Sequence, residues 1–195
     1  DGVVVAHGTD TMAYSAAALS FALRGLPVPV VLVGAQRSSD RPSSDAALNL
    51  LGAFVAASKG PFAEVVVAMH ETMDDEAVAI HRGTRVRKCH TSRRDAFRSV
   101  NAPQLARVVG QDVQMLTDDY ERRRDDRELE VLARFEPKVA LIKAYPGLDP
   151  ALIDWLVEAG YKGIVFEGTG LGHLGFYCLD AVRRAARAGL VLCMT

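Results

Sequence analysis

The chain has few cysteines, few aromatic residues, almost no net charge and no long apolar run. Cys89, Cys178 and Cys193 are three in number, widely separated and without a C-x-x-C pair. That excludes a disulfide framework and points to inert thiols in a reducing compartment. A net charge of −1 gives no global pull toward nucleic acid or an anionic membrane. No apolar run approaches the about 20 residues needed to span a bilayer, and no charged-then-apolar leader opens the chain. The five histidines, His7, His70, His81, His90 and His173, show no metal-ligand spacing with Asp, Glu or Cys. We therefore expect a cytoplasmic globular protein with no metal site and no membrane contact.

What is present is an alternation of short β-branched runs with Ala- and Leu-rich stretches of helical period. Residues 3–6, 28–34, 64–69, 139–144, 163–167 and 190–194 read as strands. Residues 12–23, about 45–58 and 179–188 read as helices, as does a stretch opened by Asp149-Pro150 and closed by Gly160. Ser43 or Ser44 is the expected cap of the second helix. Residues 77–91 are expected to be extended, and 104–115 to hold a short strand or hairpin. The alternation predicts an α/β fold: a flavodoxin-like parallel sheet with helices on both faces, then the start of a second, smaller α/β domain. Nearly every residue from 118 to 130 is charged, and no apolar face can be drawn through them. We place a charged linker at 118–136, between a large domain over 1–117 and a smaller one over 137–195.

The run Val3-Val4-Val5-Ala6-His7-Gly8-Thr9-Asp10-Thr11-Met12 sets a hydroxyl beside a carboxylate where a strand turns into a helix. Open α/β folds bind ligands at that edge, where backbone N–H groups and the helix dipole favour an anion or a developing oxyanion. The alternative is that Thr9 or Asp10 caps the helix. Residues 82–98 hold seven basic side chains, Arg82, Arg85, Arg87, Lys88, Arg93, Arg94 and Arg98, against one acid, Asp95. Such a run can meet phosphate or RNA. It can also hold one lysine among like charges, so that it gives up its proton and serves as an acceptor, or it can be a solvated basic face. Val86 and Cys89 beside Lys88 argue against a wholly exposed strand.

Gly170 to Gly175 matches G-x-G-x-x-G, but the end of the next strand holds Cys193, Met194 and Thr195 where a dinucleotide site needs an acid. A loop that lets backbone approach a neighbouring subunit or site is expected instead. Ser38, Ser39, Ser43 and Ser44, with Asp40 and Asp45, lack a nucleophile elbow. Caps and turn hydrogen bonds account for them.

HGTDTMAY after an apolar strand (residues 7–14) resembles a threonine motif of the L-asparaginase family. VGAQRSSDRPSSDAALNL (33–50), HRGTRVRKCHTSRRDAFRS (81–99) and FEGTGLGHL (166–174) resemble that family's branch of archaeal glutamyl-tRNA(Gln) amidotransferase D subunits. The likeness covers essentially the whole chain in order. It implies an amidohydrolase in which a threonine attacks the side-chain amide of glutamine or asparagine, an acyl-enzyme forms, and water releases the acid. It also implies a heterotetramer. A kinase-like E subunit takes the ammonia and uses ATP and magnesium to aminate glutamate on tRNA(Gln), so this chain itself carries no cofactor and meets tRNA(Gln) only through the complex. A homodimer through the asparaginase-like domains is implied as well, because the family's active site lies between the large domain of one subunit and the small domain of another.

Carried over by motif, Thr9, Asp10 and Lys88 match the family's second threonine, its aspartate and its lysine. A hydroxyl is a poor nucleophile until a base takes its proton. A neutral Lys88 amine acting through Thr9 Oγ1 would give general-base help of about 10² to 10⁴ in rate. Asp10 would grip the substrate's α-amino group by a charge-assisted bond, and backbone N–H groups at Gly8 and Thr9 would face the oxyanion. Gly8, Thr9 and Asp10 are thus the expected substrate contacts.

The family's first threonine, in a Gly-rich loop, and its substrate loop are expected before Asp1. The chain lacks an initial Met and stops in an apolar strand, so we expect an internal piece of a longer protein, inactive by itself. Gly175-Phe176 stands where the family has a proline-containing turn. Two alternatives stay open: a free-standing cytosolic L-asparaginase, and an RNA-binding module built on residues 82–98.

Overall fold

The computed structural model describes residues 1–124 and 126–195; Asp125, within the expected charged linker, lies outside the described residues. The chain divides into two compact units, Asp1–Ala133 and Arg134–Thr195.

The first unit is built on a sheet of six strands. In chain order its elements begin with β1 (Val3–Ala6), α1 (Met12–Ala22), β2 (Leu23–Arg24), β3 (Val30–Val33), α2 (Ala46–Lys59), β4 (Val65–His70) and β5 (Val78–Arg82). They continue with β6 (Val86–Lys88), β7 (Phe97–Ser99), β8 (Ala106–Val109), β9 (Asp112–Met115) and β10 (Glu130–Val131). The sheet order is β1-β3-β4-β5-β8-β9. β1, β3 and β4 are parallel, with Val3 opposite Val30 and Val30 opposite Val65. From β5 onward the pairing is antiparallel. The change follows from the connections, since helices separate the parallel strands whereas β8 and β9 share a tight turn at Gly110, whose φ of 58° suits glycine.

Period-two alternation divides the core. Val31, Val33, Val66 and Ala68 face α2 and pack with Ala53, Ala56 and Phe62. Val30, Leu32, Val65, Val67 and Met69 face α1 and pack with Met12, Ala16 and Phe97. Helices on both faces leave these strands almost fully buried, hence their unbroken β-branched runs. On the α1 side, β6 and β7 form a separate antiparallel hairpin with Lys88 opposite Phe97.

The charged stretch does not stand free of this unit. Ala63 N–H donates to Glu121 O at 2.7 Å and Arg123 N–H to Pro61 O at 3.0 Å, while β10 pairs with β2. The Arg123 guanidinium covers the last carbonyls of α2, at Ala57 and Ser58, and also bonds Asp1 O. A cation is well placed there, because a helix carboxyl end carries unsatisfied carbonyls and the negative dipole pole.

The second unit contains β11 (Val139–Lys143), α3 (Ala151–Glu158), β12 (Gly163–Glu167), α4 (Leu179–Arg187) and β13 (Val191–Met194). Its three strands are parallel in chain order. Ile142, Ile164 and Phe166 pack against Ile153 and Leu156 of α3 and Ala181 and Ala185 of α4. Asp149 Oδ1 accepts from Ala151 N–H at 2.9 Å and so caps α3.

Candidate active site

Thr9 and Asp10 lie in the turn between β1 and α1, at the carboxyl edge of the parallel strands. The residue preceding the helix is Thr11, and its side chain makes no capping hydrogen bond. Both side chains instead serve a third residue. Lys88 Nζ donates to Thr9 Oγ1 at 2.9 Å and to Asp10 Oδ1 at 2.6 Å. The lysine side chain is 13% exposed and the aspartate 91%, so a shielded ammonium meets a carboxylate open to solvent. A Cβ built at Gly8 meets nothing within 4 Å, leaving the turn open on that side. Beside it lies an apolar cavity of about 430 Å³, lined in part by His7, Gly8, Gly34 and Leu50. The three candidate residues therefore share one location, although Thr9 and Lys88 are 79 positions apart in the sequence.

The basic run around Lys88 is not a patch of like charge. Arg82 forks onto Glu64 at 2.6 and 3.1 Å, Arg93 and Arg98 both grip the buried Asp95, and Arg94 pairs with Asp75 at 2.7 Å. The bond from Arg93, ahead of the charge of Arg98, holds the Asp95 carboxyl below its ordinary value. Most of these guanidinium groups are thus satisfied by carboxylates within the fold, and the charged group touching Lys88 Nζ is Asp10. The expectation that like charges surround the lysine is corrected accordingly. The cause is pairing with acids far away in the sequence.

Residues 1–121 match the family model described as "Asparaginase, N-terminal", and residues 138–195 match "Glutaminase/Asparaginase C-terminal domain". The chain belongs to the asparaginase family. Within it, the chain is 54% identical over 195 residues to the glutamyl-tRNA(Gln) amidotransferase D subunit of Thermofilum pendens, covering 99% of this chain and 43% of that protein. It is 56% identical over 195 residues to the corresponding protein of Pyrococcus abyssi, covering 100% of this chain and 44% of that protein. The chain thus spans less than half the length of these curated relatives. Among solved structures, the thermostable L-asparaginase of Thermococcus kodakarensis superposes with a TM-score of 0.84 at 37% identity, covering 96% of this chain and 54% of that one. L-asparaginase I of Vibrio cholerae gives 0.84 at 28%, covering 100% and 57%.

The other motifs have local explanations. Ser44 Oγ accepts from Ala46 N–H at 3.2 Å at the start of α2. Buried Asp45 accepts from Gln36 and Arg37 N–H, each at 2.9 Å. Gly170 and Gly172 have positive φ in a turn closed by Thr169 and His173, and Gly168 and Gly172 pack against Met194. Gly175, in place of the family's expected proline, has φ −55° and ψ 133°, a backbone that proline also adopts. Among the described residues, no group of three His, Cys, Asp or Glu is placed to hold a metal ion, and no helix is long and apolar enough to cross a membrane.

Sequence reasoning missed a buried polar chain that runs from α2 through the end of β4 to Asp75. Asn49 and His70 are fully buried, and His70 Nδ1 lies 2.6 Å from Asn49 Oδ1 and its Nε2 3.0 Å from Asp75 Oδ1. The available signal was a lone Asn in the apolar helix 46–59 and a His ending a wholly apolar strand. Buried polar groups in such positions require partners.

Proposed function

We propose that this chain carries the proton-relay half of a threonine-dependent amidohydrolase site that releases ammonia from glutamine, and that in the full-length protein the ammonia serves amidation of Glu-tRNA(Gln). The observation carrying the proposal is the contact of Lys88 Nζ with Thr9 Oγ1 at 2.9 Å, with Asp10 on the same nitrogen.

In the amine form, Nζ accepts the proton of Thr9, and Thr9 Oγ1 in turn relieves the attacking threonine hydroxyl of its own. The hydroxyl oxygen bonds to the amide carbon, and the proton passes back through the same pair to the leaving nitrogen, which departs as ammonia. Water then attacks the ester, returning the threonine and releasing the acid. Asp10, mostly exposed, receives the substrate's α-amino group, and the Gly8 and Thr9 N–H groups receive the oxyanion.

The identities of 54–56% to the amidotransferase proteins, against 37% and 28% to L-asparaginases, favour glutamine-derived ammonia for tRNA over free-standing asparagine hydrolysis. The partners proposed are a kinase-like E subunit that uses ATP and magnesium, a second copy of this chain, and tRNA(Gln) through that complex, in the cytoplasm. The test is ammonia release by the full-length protein with glutamine and with asparagine. Thr9→Val and Lys88→Met should each lower it by about 10² to 10⁴ while circular dichroism stays unchanged. Stimulation by the kinase-like partner with tRNA supports the amidotransferase; indifference to both supports the stand-alone asparaginase.

A further inference from the structure

We propose that Asp75 and Arg94 are positioning residues for Lys88: their clamp, backed by buried His70 and Asn49, fixes the tip of the β6–β7 hairpin so that the lysine reaches Thr9. This rests on the amidohydrolase reading above. A hairpin with three residues in each strand does not hold its own position in water. Buried Phe97, opposite Lys88, seats the base of the hairpin against Met12 and Ala16. Lys88 is the last residue before the loop 89–96, so its placement depends also on what anchors that loop.

Three bonds tie the loop outward. Gln36 Nε2 donates to Arg93 O at 2.8 Å, Arg94 Nη1 to Asp75 Oδ1 at 2.7 Å, and Arg94 Nη2 to Ser43 O at 2.5 Å. Ser43 has φ 57°, a left-handed conformation uncommon for a residue other than glycine, and Arg94 holds its carbonyl. An isolated surface pair contributes little, and the Asp75 side chain is 67% exposed. What distinguishes this one is its backing, because Asp75 Oδ1 also accepts from His70 Nε2.

The orientation of that backing follows from hydrogen-bond accounting. Asn49 Nδ2 faces two acceptors, Gly34 O at 3.0 Å and Asp45 Oδ2 at 2.9 Å, so its Oδ1 must face His70 Nδ1. Both His70 ring nitrogens therefore face oxygen atoms, Asn49 Oδ1 and Asp75 Oδ1. The bond from His70, with the charge of Arg94 as a lesser cause, holds the Asp75 carboxyl below its ordinary value. The result is one connected path from α2 through β4 to the lysine hairpin.

The experiment measures glutamine hydrolysis against pH in the full-length protein for Arg94→Ala, Arg94→Lys and Asp75→Asn, with Thr9→Val and Lys88→Met alongside. A displaced lysine should lower kcat about tenfold to a hundredfold in Arg94→Ala and Asp75→Asn, with KM within about twofold, and move one limb of the pH profile. Arg94→Lys should recover part of the rate. Unchanged kcat in either folded variant, or a fall equal at every pH, overturns the assignment. If Arg94→Ala does not fold, Asp75→Asn decides, since its side chain is largely exposed and keeps its shape. Wild-type rates in Thr9→Val and Lys88→Met would instead overturn the amidohydrolase reading.

Discussion

Lys88 donates to Thr9 Oγ1 at 2.9 Å from a hairpin that lies outside the main sheet. If this contact moves a proton, the outcome depends on which group can release one. Thr9→Ser keeps the hydroxyl and should retain activity, whereas Thr9→Val should lower kcat by about 10² to 10⁴. Lys88→Arg keeps the charge in a guanidinium that does not deprotonate, and it should be as inactive as Lys88→Met. Ammonia release under saturating substrate tests this. Near-normal turnover in Lys88→Arg would show that charge, not proton transfer, is what the position supplies.

Asp10 has a different predicted signature. Its carboxylate is 91% exposed although Lys88 touches one oxygen, so the other oxygen remains available to a substrate ammonium. A hydrogen bond to a charged group contributes about 1.5–3 kcal/mol. Asp10→Asn should therefore raise KM by about ten- to a hundredfold. A variant with unchanged KM in initial-rate measurements would remove Asp10 from the substrate contacts.

Much of this architecture was legible because burial leaves a clear mark. Val30–Val33 is buried at every position, and its apolar run announced a strand covered on both faces. Asp149 before Pro150 announced the start of α3 and does cap it. The hairpin expected over 104–115 is there as β8 and β9, but the antiparallel entry of β5 into the sheet was not legible, since strand direction depends on connection geometry that residues 71–77 do not advertise. Nor were the partners of the basic run. Glu64, Asp75 and Asp10 lie remote in sequence from the guanidinium and ammonium groups they neutralise, and local composition shows only the excess of one sign. The two-residue strands β2 and β10 are too short for any pattern.

Gly83, inside the stretch HRGTR, explains why a glycine follows β5. A Cβ there would meet Ser20 Oγ at 2.7 Å, Val65 O at 2.8 Å and Ala16 O at 3.0 Å. Two of these atoms are backbone oxygens and cannot swing aside. Gly83→Ala should push α1 and β4 apart from the start of the hairpin, costing about 1–3 kcal/mol. Urea unfolding should show a lower midpoint, and activity should fall with it, because α1 follows directly on Thr9 and Asp10. A midpoint equal to wild type would mean that this approach is looser than the geometry states.

His81 supplies a pH dependence of stability whose sign can be derived. It is fully buried in β5, and its Nδ1 lies 2.9 Å from Ser99 Oγ at the base of the hairpin, while Nε2 has no partner among the described residues. A neutral ring donating from Nδ1 leaves only an acceptor unpaired, the lesser cost of the two tautomers. Burial first, and the charge of Arg98 second, push its pKa from 6.5 down to about 4. Between those values the unfolded chain binds the proton and the folded one does not, so stability falls as pH falls through that window. The slope is about 1.4 kcal/mol per pH unit and the full loss about 3 kcal/mol. It is absent above pH 6.5 and complete by about pH 4. His81→Gln retains an N–H toward Ser99 but does not titrate, and should flatten this part of the curve. Urea midpoints of both proteins at pH 7, 5.5 and 4.5 test the claim. Parallel curves would show that His81 takes up its proton without cost and is not sealed from water as the fold requires.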